Sequence, residues 1–139
     1  MADVGAGQGY LTFRLAEAVG PTGRVVATDI DESALAVLRT HAPPNVSARK
    51  VAANDPGLEA SSYDMVLLSE VDHYLDDRVD YLRKLGRALA PGGRIAVTNR
   101  RSFRALLLAA AGRAGYRTVA EVNDLPAHFL VFLQPEARP

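Results

Sequence analysis

The sequence predicts an α/β fold: a doubly wound, mostly parallel sheet with helices on both faces and an antiparallel strand pair at the end. Three observations carry this expectation. Strand-like and helix-like segments alternate along the whole of the 139 residues, the pattern of a parallel sheet covered by helices. One strand, Tyr63 to Ser69, is continuously apolar through Met65-Val66-Leu67-Leu68, as expected at the centre of a parallel sheet. The last two apolar stretches, Thr118–Val122 and His128–Leu133, are joined by a turn at Asn123-Asp124-Leu125-Pro126, which points to an antiparallel pair.

The elements follow in order. Met1–Val4 is a short strand, succeeded by the glycine loop Gly5-Ala6-Gly7-Gln8-Gly9. Tyr10–Val19 reads as a helix with Leu11, Leu15, Ala18 and Val19 on its inward face, and Gly20-Pro21-Thr22-Gly23 stops it. Arg24–Thr28 is a strand. Glu32–His41 is a second helix, capped by Asp31, with Leu35 and Leu38 inward and Pro43-Pro44 beyond its end. Val46–Val51 is a strand with polar residues at alternate positions, hence nearer an edge. Residues 54–62 are loop. After the central strand, Asp77–Leu89 is a helix that turns Val79, Leu82, Leu85 and Leu89 inward. Pro91-Gly92-Gly93 turns the chain into the strand Arg94–Thr98. Ser102–Arg113 is the last helix, and its Leu106-Leu107-Leu108 and Ala109–Ala111 run reads as core rather than as a membrane or partner surface. No repeat or linker divides the chain, so residues 1–139 are expected to form a single domain.

Composition narrows the function. Apolar residues make up 48%, enough for a packed core. Sixteen basic and sixteen acidic residues leave a formal net charge of zero, which argues against a protein built to grip nucleic acid electrostatically. The chain has no cysteine, which excludes a disulfide scaffold, thiolate-bound zinc, iron–sulfur clusters and thiol catalysis. His41, His73 and His128 lie too far apart to spell a metal motif, and no metal is expected. With no Trp and few aromatics, a base-stacking platform is not expected. No basic-then-apolar leader opens the chain, and its longest strongly apolar stretch, Ala105–Ala111, falls far short of the ~20 residues of a membrane span. A soluble, cytoplasmic protein with no membrane contact is expected.

In open sheets of this kind ligands sit outside the carboxyl ends of the strands, which directs attention to residues 5–9, 29–31, 52–57, 69–74 and 99–101. Gly5, Gly7 and Gly9 let the backbone turn tightly and approach a ligand that a Cβ would block, and the next helix aims its free N–H groups at that ligand. A tight structural turn would use the same glycines. A dinucleotide fingerprint would need glycine at position 10, where this chain has Tyr10. Asp29 ends the second strand, 20 residues after Gly9, where a carboxylate can accept from both hydroxyls of a ribose. Ile30 could then lie flat against an adenine. Alone, Asp29 could equally cap a helix.

Four segments taken together carry a resemblance. Asp3–Gly9, Thr28-Asp29-Ile30-Asp31, Ser62–Leu68 and Leu89-Ala90-Pro91-Gly92-Gly93-Arg94 resemble, in order and spacing, the successive motifs of class I S-adenosylmethionine-dependent methyltransferases. They are most similar to the small-molecule branch of the ubiquinone/menaquinone-biosynthesis and arsenite-methyltransferase type. The similarity covers residues 2 to about 133 and implies a Rossmann-like fold with S-adenosylmethionine as cofactor. It implies that Asp3 orients the methionine amino group, that Gly5, Gly7 and Gly9 hug the methionyl and ribose portions, that Asp29 binds the ribose hydroxyls, and that Ile30 packs on the adenine. The family usually sets an acid against the adenine amino group. Its commonest position here is Ala52, so Asn54 or Asp55 would take the role, unless Asn54-Asp55-Pro56-Gly57 is an ordinary turn.

Ser69 is placed by the resemblance where donor meets acceptor. It stands where metal-dependent O-methyltransferases of this fold would have an acid and the nucleic-acid amino-methylating branch an Asn, so neither variant is expected. His73, in Glu70-Val71-Asp72-His73-Tyr74, is the candidate general base, since imidazole titrates near neutral pH. Capping a helix or packing on Tyr74 are its structural alternatives. The acids Asp64, Glu70, Asp72, Asp76, Asp77 and Asp80 read mostly as a solvated helix start. Arg94, Arg100, Arg101 and Arg104 form a basic cluster without an acid, either a solvated face or a contact for an anionic substrate or RNA.

The expected activity is methyl transfer to a small-molecule acceptor by in-line displacement, gained through proximity and alignment. Only Met1 to Val4 precede the glycine loop, so the fold is expected to be N-terminally abbreviated, with an open donor site, exposed apolar surface near residues 1–4 and the adjoining helix, and self-association through it. That shortness also motivates an alternative: a truncated or non-catalytic methyltransferase-like module serving as a binding or partner subunit. An NAD(P) oxidoreductase is disfavoured by Tyr10 and by the Asp64 and Pro91-Gly92-Gly93 motifs.

Overall fold

In the computed structural model, residues 1–136 are described. Seven strands form one sheet: β1 (Ala2–Val4), β2 (Val25–Asp29), β3 (Val46–Lys50), β4 (Tyr63–Ser69), β5 (Leu89–Arg100), β6 (Tyr116–Val122) and β7 (His128–Pro135). Their order is β3-β2-β1-β4-β5-β7-β6. The first five run parallel, and β7 lies antiparallel to both β5 and β6. Polar-alternating β3 is an edge strand and apolar β4 is central, as their patterns require. The strand order changes direction at β1, between β2 and β4. The switch point of the sheet therefore lies at the carboxyl ends of β1 and β4.

Four helices cover the sheet: α1 (Tyr10–Val19), α2 (Glu32–His41), α3 (Arg78–Ala88) and α4 (Arg104–Arg113). Two apolar clusters hold them. One joins Leu82 and Leu85 of α3 and Leu107 of α4 to Val66, Leu68, Ile95 and Val131 of the sheet. The other joins Leu35 and Leu38 of α2 to Ala27, with Phe13 of α1 against it. Val26 packs on the first cluster and its neighbour Ala27 belongs to the second, so the two lie on opposite faces.

Local chemistry sets the helix ends. Asp31 accepts from the Ser33 backbone N–H at 2.9 Å, the cap expected for α2. Asp77 does the same for α3, accepting from Asp80 N–H at 3.0 Å. Asp77→Ala is expected to destabilise the domain by about 1 kcal/mol, read as a lower urea midpoint at unchanged slope.

The structure departs from expectation in four places. First, α1 turns Thr12 and Ala16 inward rather than Leu11, Leu15, Ala18 and Val19, and Ala18 is exposed. Small residues let this helix approach the sheet closely, and the buried Asp3 beneath it draws in the Thr12 hydroxyl. Second, β5 begins at Leu89. Pro91-Gly92-Gly93 bulges within it, because Leu89 opposes Tyr63 while Arg94 already opposes Met65. Third, α4 is preceded by a 3-10 turn over Arg101–Phe103, so it starts at Arg104. Fourth, the apolar surface expected at residues 1–4 is not exposed. Ala2, Asp3 and Val4 are buried, since β1 is hydrogen-bonded to β2 on one side and β4 on the other. Leu106 is exposed while Leu107, Ala110 and Ala111 are buried, so the apolar run of α4 is core on one face only. No helix among the described residues is long and apolar enough to cross a membrane.

Candidate functional site

The carboxyl ends of β1, β2 and β4 bring the first three sequence-predicted groups together. The chain leaves β1 through Gly5, whose N–H, with that of Ala6, donates to the Thr28 carbonyl at 2.9 Å. Gly5 has a positive φ, and a Cβ there would lie 2.5 Å from Val71 Cγ1. A side chain at this position would thus push the loop off the segment after β4. Gly7 is different: its φ is +58° and a Cβ would meet no atom within 4 Å. The loop is open on this side.

Asp3 lies under the loop and is 2% exposed. Its Oδ2 accepts from the Thr12 hydroxyl at 2.7 Å. Burial raises its pKa to about 6, the Thr12 bond opposes the shift, and the charge on Asp29 adds to it. Asp29, at the end of β2, accepts from Gly7 N–H at 2.8 Å through Oδ2 and from Asp31 N–H at 3.0 Å through Oδ1. One carboxylate therefore ties the glycine loop to the start of α2. Next to it, Ile30 is 59% exposed. Exposed large apolar side chains are few in this chain. Three of them, Tyr10, Ile30 and Tyr74, follow the ends of β1, β2 and β4.

The loop after β3 is placed differently. Asp55 Oδ1 accepts from Gly57 N–H at 2.9 Å, an ordinary Asx turn. The Asn54 carbonyl accepts from Lys84 Nζ at 2.8 Å. Both residues line a groove with Lys84 and Arg87 rather than a cavity shared with Asp29.

Ser69 closes β4 opposite Thr98 of β5 and is half-buried. The following residue, Glu70, has a φ of +55°, outside the range most side chains favour, and its carboxylate meets His128 Nε2 at 3.0 Å. That contact holds the Glu70 carboxyl below its usual pKa. Beyond it, Asp72–Tyr74 forms a 3-10 turn. Here the structure assembles a cluster. Asn99, at the end of β5, donates through Nδ2 to Asp72 Oδ1 at 2.7 Å and lies 2.9 Å from His73 Nδ1. Asn99 Oδ1 accepts from Arg100 N–H at 2.8 Å. The His73 ring stacks on Phe103, with centroids 4.7 Å apart and planes 12° from parallel. A cavity of about 430 Å³ opens beside it, lined by Glu70, His73, Tyr74, Asn99, Arg100 and Phe103.

Two readings of charged runs need correction here. Asp72, expected among solvated acids, is 1% exposed, and its Oδ2 faces Arg78 Nε at 3.8 Å without a hydrogen bond. The basic cluster does have an acid: Arg104 forms a bidentate pair with Glu121 at 2.7 and 2.9 Å. Arg101 is bound to the carbonyls of Asn123 and Leu125. The partners of Arg104 and Arg101 lie 17 to 24 residues away in sequence. A separate cavity of about 830 Å³ lies at the amino ends of β1 to β4, between Met1, Arg24, Arg49, Glu59 and Tyr63, and none of the predicted site residues lines it.

With this geometry in place, comparison with known proteins gives a family. The family described as "Methyltransferase domain" matches over residues 2–95, which takes in the glycine loop, Asp29 and the core of β4 and β5. The chain belongs to the methyltransferase-domain family. Nocamycin O-methyltransferase of Saccharothrix syringae is 35% identical over 102 residues, 70% of this chain and 36% of that protein. Demethylmenaquinone methyltransferase of Lactococcus lactis is 32% identical over 97 residues, 67% of this chain and 38% of that protein. This methyltransferase domain thus spans less than half the length of these relatives. Among solved structures, a SAM-dependent methyltransferase from Aquifex aeolicus superposes with a TM-score of 0.86 at 22% identity, over 95% of this chain and 79% of that one. A TehB-like methyltransferase from Corynebacterium glutamicum gives 0.80 at 16% identity, over 97% and 79%. These likenesses show the Rossmann-like methyltransferase fold. Within it, sequence reasoning missed three polar residues: Thr12, Asp72 as a buried group, and Asn99. Thr12 sits on an otherwise apolar or charged helix, and Asn99 ends an apolar strand inside a loop already marked by topology. Those were the available signals.

Proposed function

We propose that this domain binds S-adenosylmethionine over the glycine loop and presents its methyl group to a small-molecule acceptor. The observation that carries the reading is the Asp29 carboxylate, clasped by Gly7 and Asp31 N–H groups at the open rim of the sheet. Each of its oxygens has accepted one bond and keeps capacity for another, which suits the two adjacent hydroxyls of a ribose. Other features fit the same ligand. The space a Gly7 side chain would take is free. Ile30 offers an exposed apolar face for an adenine. Asp3 and Asp29 make the site's field negative, as a ligand bearing a sulfonium and an ammonium group requires. For the adenine amino group, Asn54 and Asp55 are the exposed polar residues after β3, and the Asx turn of Asp55 uses only Oδ1 and leaves Oδ2 open.

The bound cofactor would supply a methyl group already activated by its positive sulfur. The protein's part is alignment: Asp29 and the glycine loop fix the nucleoside, Asp3 the amino acid end, and the segment 69–74 borders the place where the acceptor approaches.

Calorimetric titration with S-adenosylhomocysteine tests the reading. A dissociation constant in the micromolar range is expected, with NADH leaving the titration unchanged. A folded chain that shows no heat of binding would overturn it, and the non-catalytic module would take its place.

A further inference from the structure

We infer that Asn99 holds His73 in the tautomer protonated at Nε2, so that His73 donates a hydrogen bond to an oxyanion on a planar acceptor seated in the cavity beside it. This rests on the methyl-transfer reading for the identity of the reaction, but the tautomer stands on geometry alone.

Asn99 is 1% exposed, and both polar atoms of its side-chain amide have protein partners. An amide oxygen only accepts and an amide nitrogen only donates. Asn99 Oδ1 faces the Arg100 backbone N–H at 2.8 Å, which is a donor. Nδ2 faces the Asp72 carboxylate at 2.7 Å, which is an acceptor. Turning the amide over would set N–H against N–H and oxygen against carboxylate. Its orientation is therefore determined by its neighbours. The second Nδ2 hydrogen is left for His73 Nδ1 at 2.9 Å, and Nδ1 must accept it. In the neutral ring the proton then sits on Nε2. Stacking on Phe103 and contact with Tyr74 fix the ring plane. No protein group among the described residues partners Nε2.

The consequence reverses the role expected from sequence. A general base needs a free nitrogen lone pair, and both are committed: Nδ1 to Asn99, Nε2 to its own proton. His73 is instead a donor toward the cavity. Arg100 lines the same cavity and adds positive charge, while Glu70, its one lining carboxylate, is turned onto His128. Phe103 and the exposed ring of Tyr74 border it, which favours a flat ligand. The acceptor class that matches is a planar enolate, phenolate or carboxylate. Such an acceptor arrives already ionised. Its nucleophilic atom forms the new bond to the methyl carbon as the sulfur–carbon bond breaks and the electron pair returns to sulfur. Anion and sulfonium cancel, and no proton has to be removed. Asn99 acts here as a positioning residue, behind His73.

Nitrogen-15 NMR of histidine-labelled protein tests this. The unmodified chain at neutral pH should show the Nε2–H pattern for His73, assigned by its loss in His73→Gln. Asn99→Asp replaces the donor with an acceptor and should shift the ring toward the Nδ1–H pattern. Titration with 2-naphthoate should move the His73 Nε2 resonance, and titration with 2-naphthylmethylamine should not. An Nδ1–H pattern in the unmodified chain overturns the inference without needing any variant to fold, and so does a resonance that ignores naphthoate. Running both with and without S-adenosylhomocysteine separates the cases. Donor binding with the wrong tautomer defeats only this inference, and the right tautomer without donor binding defeats only the proposed function.

Discussion

Asp29→Ala is expected to abolish donor binding while leaving the fold intact. The carboxylate is half-buried at the end of β2 and accepts from Gly7 and Asp31 N–H groups before any ligand arrives. Removing it deletes the two charge-assisted acceptors proposed for the ribose, each worth about 1.5–3 kcal/mol. The sum corresponds to at least a roughly 100-fold loss of affinity. It also unties Gly7, so the loop loses the order that prepares it for the ligand. Asp29→Asn keeps the shape and one acceptor oxygen and should fall between the two. Calorimetry against S-adenosylhomocysteine, with circular dichroism to verify the fold, reads the series. Unchanged affinity in Asp29→Ala would remove Asp29 from the site.

Asp3 should leave a signature in the pH dependence of stability. Its pKa rises from 3.8 in a free chain to about 6 in the fold, chiefly through burial. Between those values the folded chain holds a proton that the unfolded chain has released. Stability from this group is therefore full below about pH 4 and is lost as pH rises through about 6, by about 3 kcal/mol in all. Above that window it contributes no further slope. Asp3→Asn keeps an acceptor for Thr12, carries no charge, and should flatten the profile between pH 4 and 6 while raising stability at neutral pH. Urea unfolding across that range measures it, and a parallel slope in the variant would show that Asp3 is not the group responsible. In the proposed function the same charge would serve the ligand. Seating an ammonium beside Asp3 favours its ionised form, so donor binding near pH 6 should release a proton, seen as a dependence of binding heat on the buffer used.

Legibility in the sequence followed the range of the interaction. The strands and α2 could be read because their patterns are local: a continuous apolar run in β4, polar alternation in β3, Asp31 ahead of Leu35 and Leu38. The face of α1 could not, because Thr12 is turned inward by Asp3, a partner in another element. The rim proposed for the donor was marked by glycines and by one acid at a spacing that topology explains. The cluster around His73 was not. His73 stood out as a titratable residue, but its chemistry is decided by Asn99, 26 residues away, and Asn99 in turn by Asp72 and the Arg100 backbone. Glu121 of β6 likewise answers Arg104 at the start of α4. Composition shows that such groups exist, and only the fold shows which are neighbours.

The strand order has a consequence for how this domain breathes. The first strand in the chain, β1, lies inside the sheet between β2 and β4, and the last, β7, lies inside it between β5 and β6. The exposed edges, β3 and β6, are neither the first nor the last strand in the chain. Fraying usually starts with the outermost segments of a chain. Here it has to start at β3 and β6, while β1 and β7 open only when a neighbour on each side has let go. The amides of β1, directly beneath the glycine loop, thus belong with the slowest-exchanging core. The floor beneath that loop holds its shape through the small openings that reach the sheet's edges.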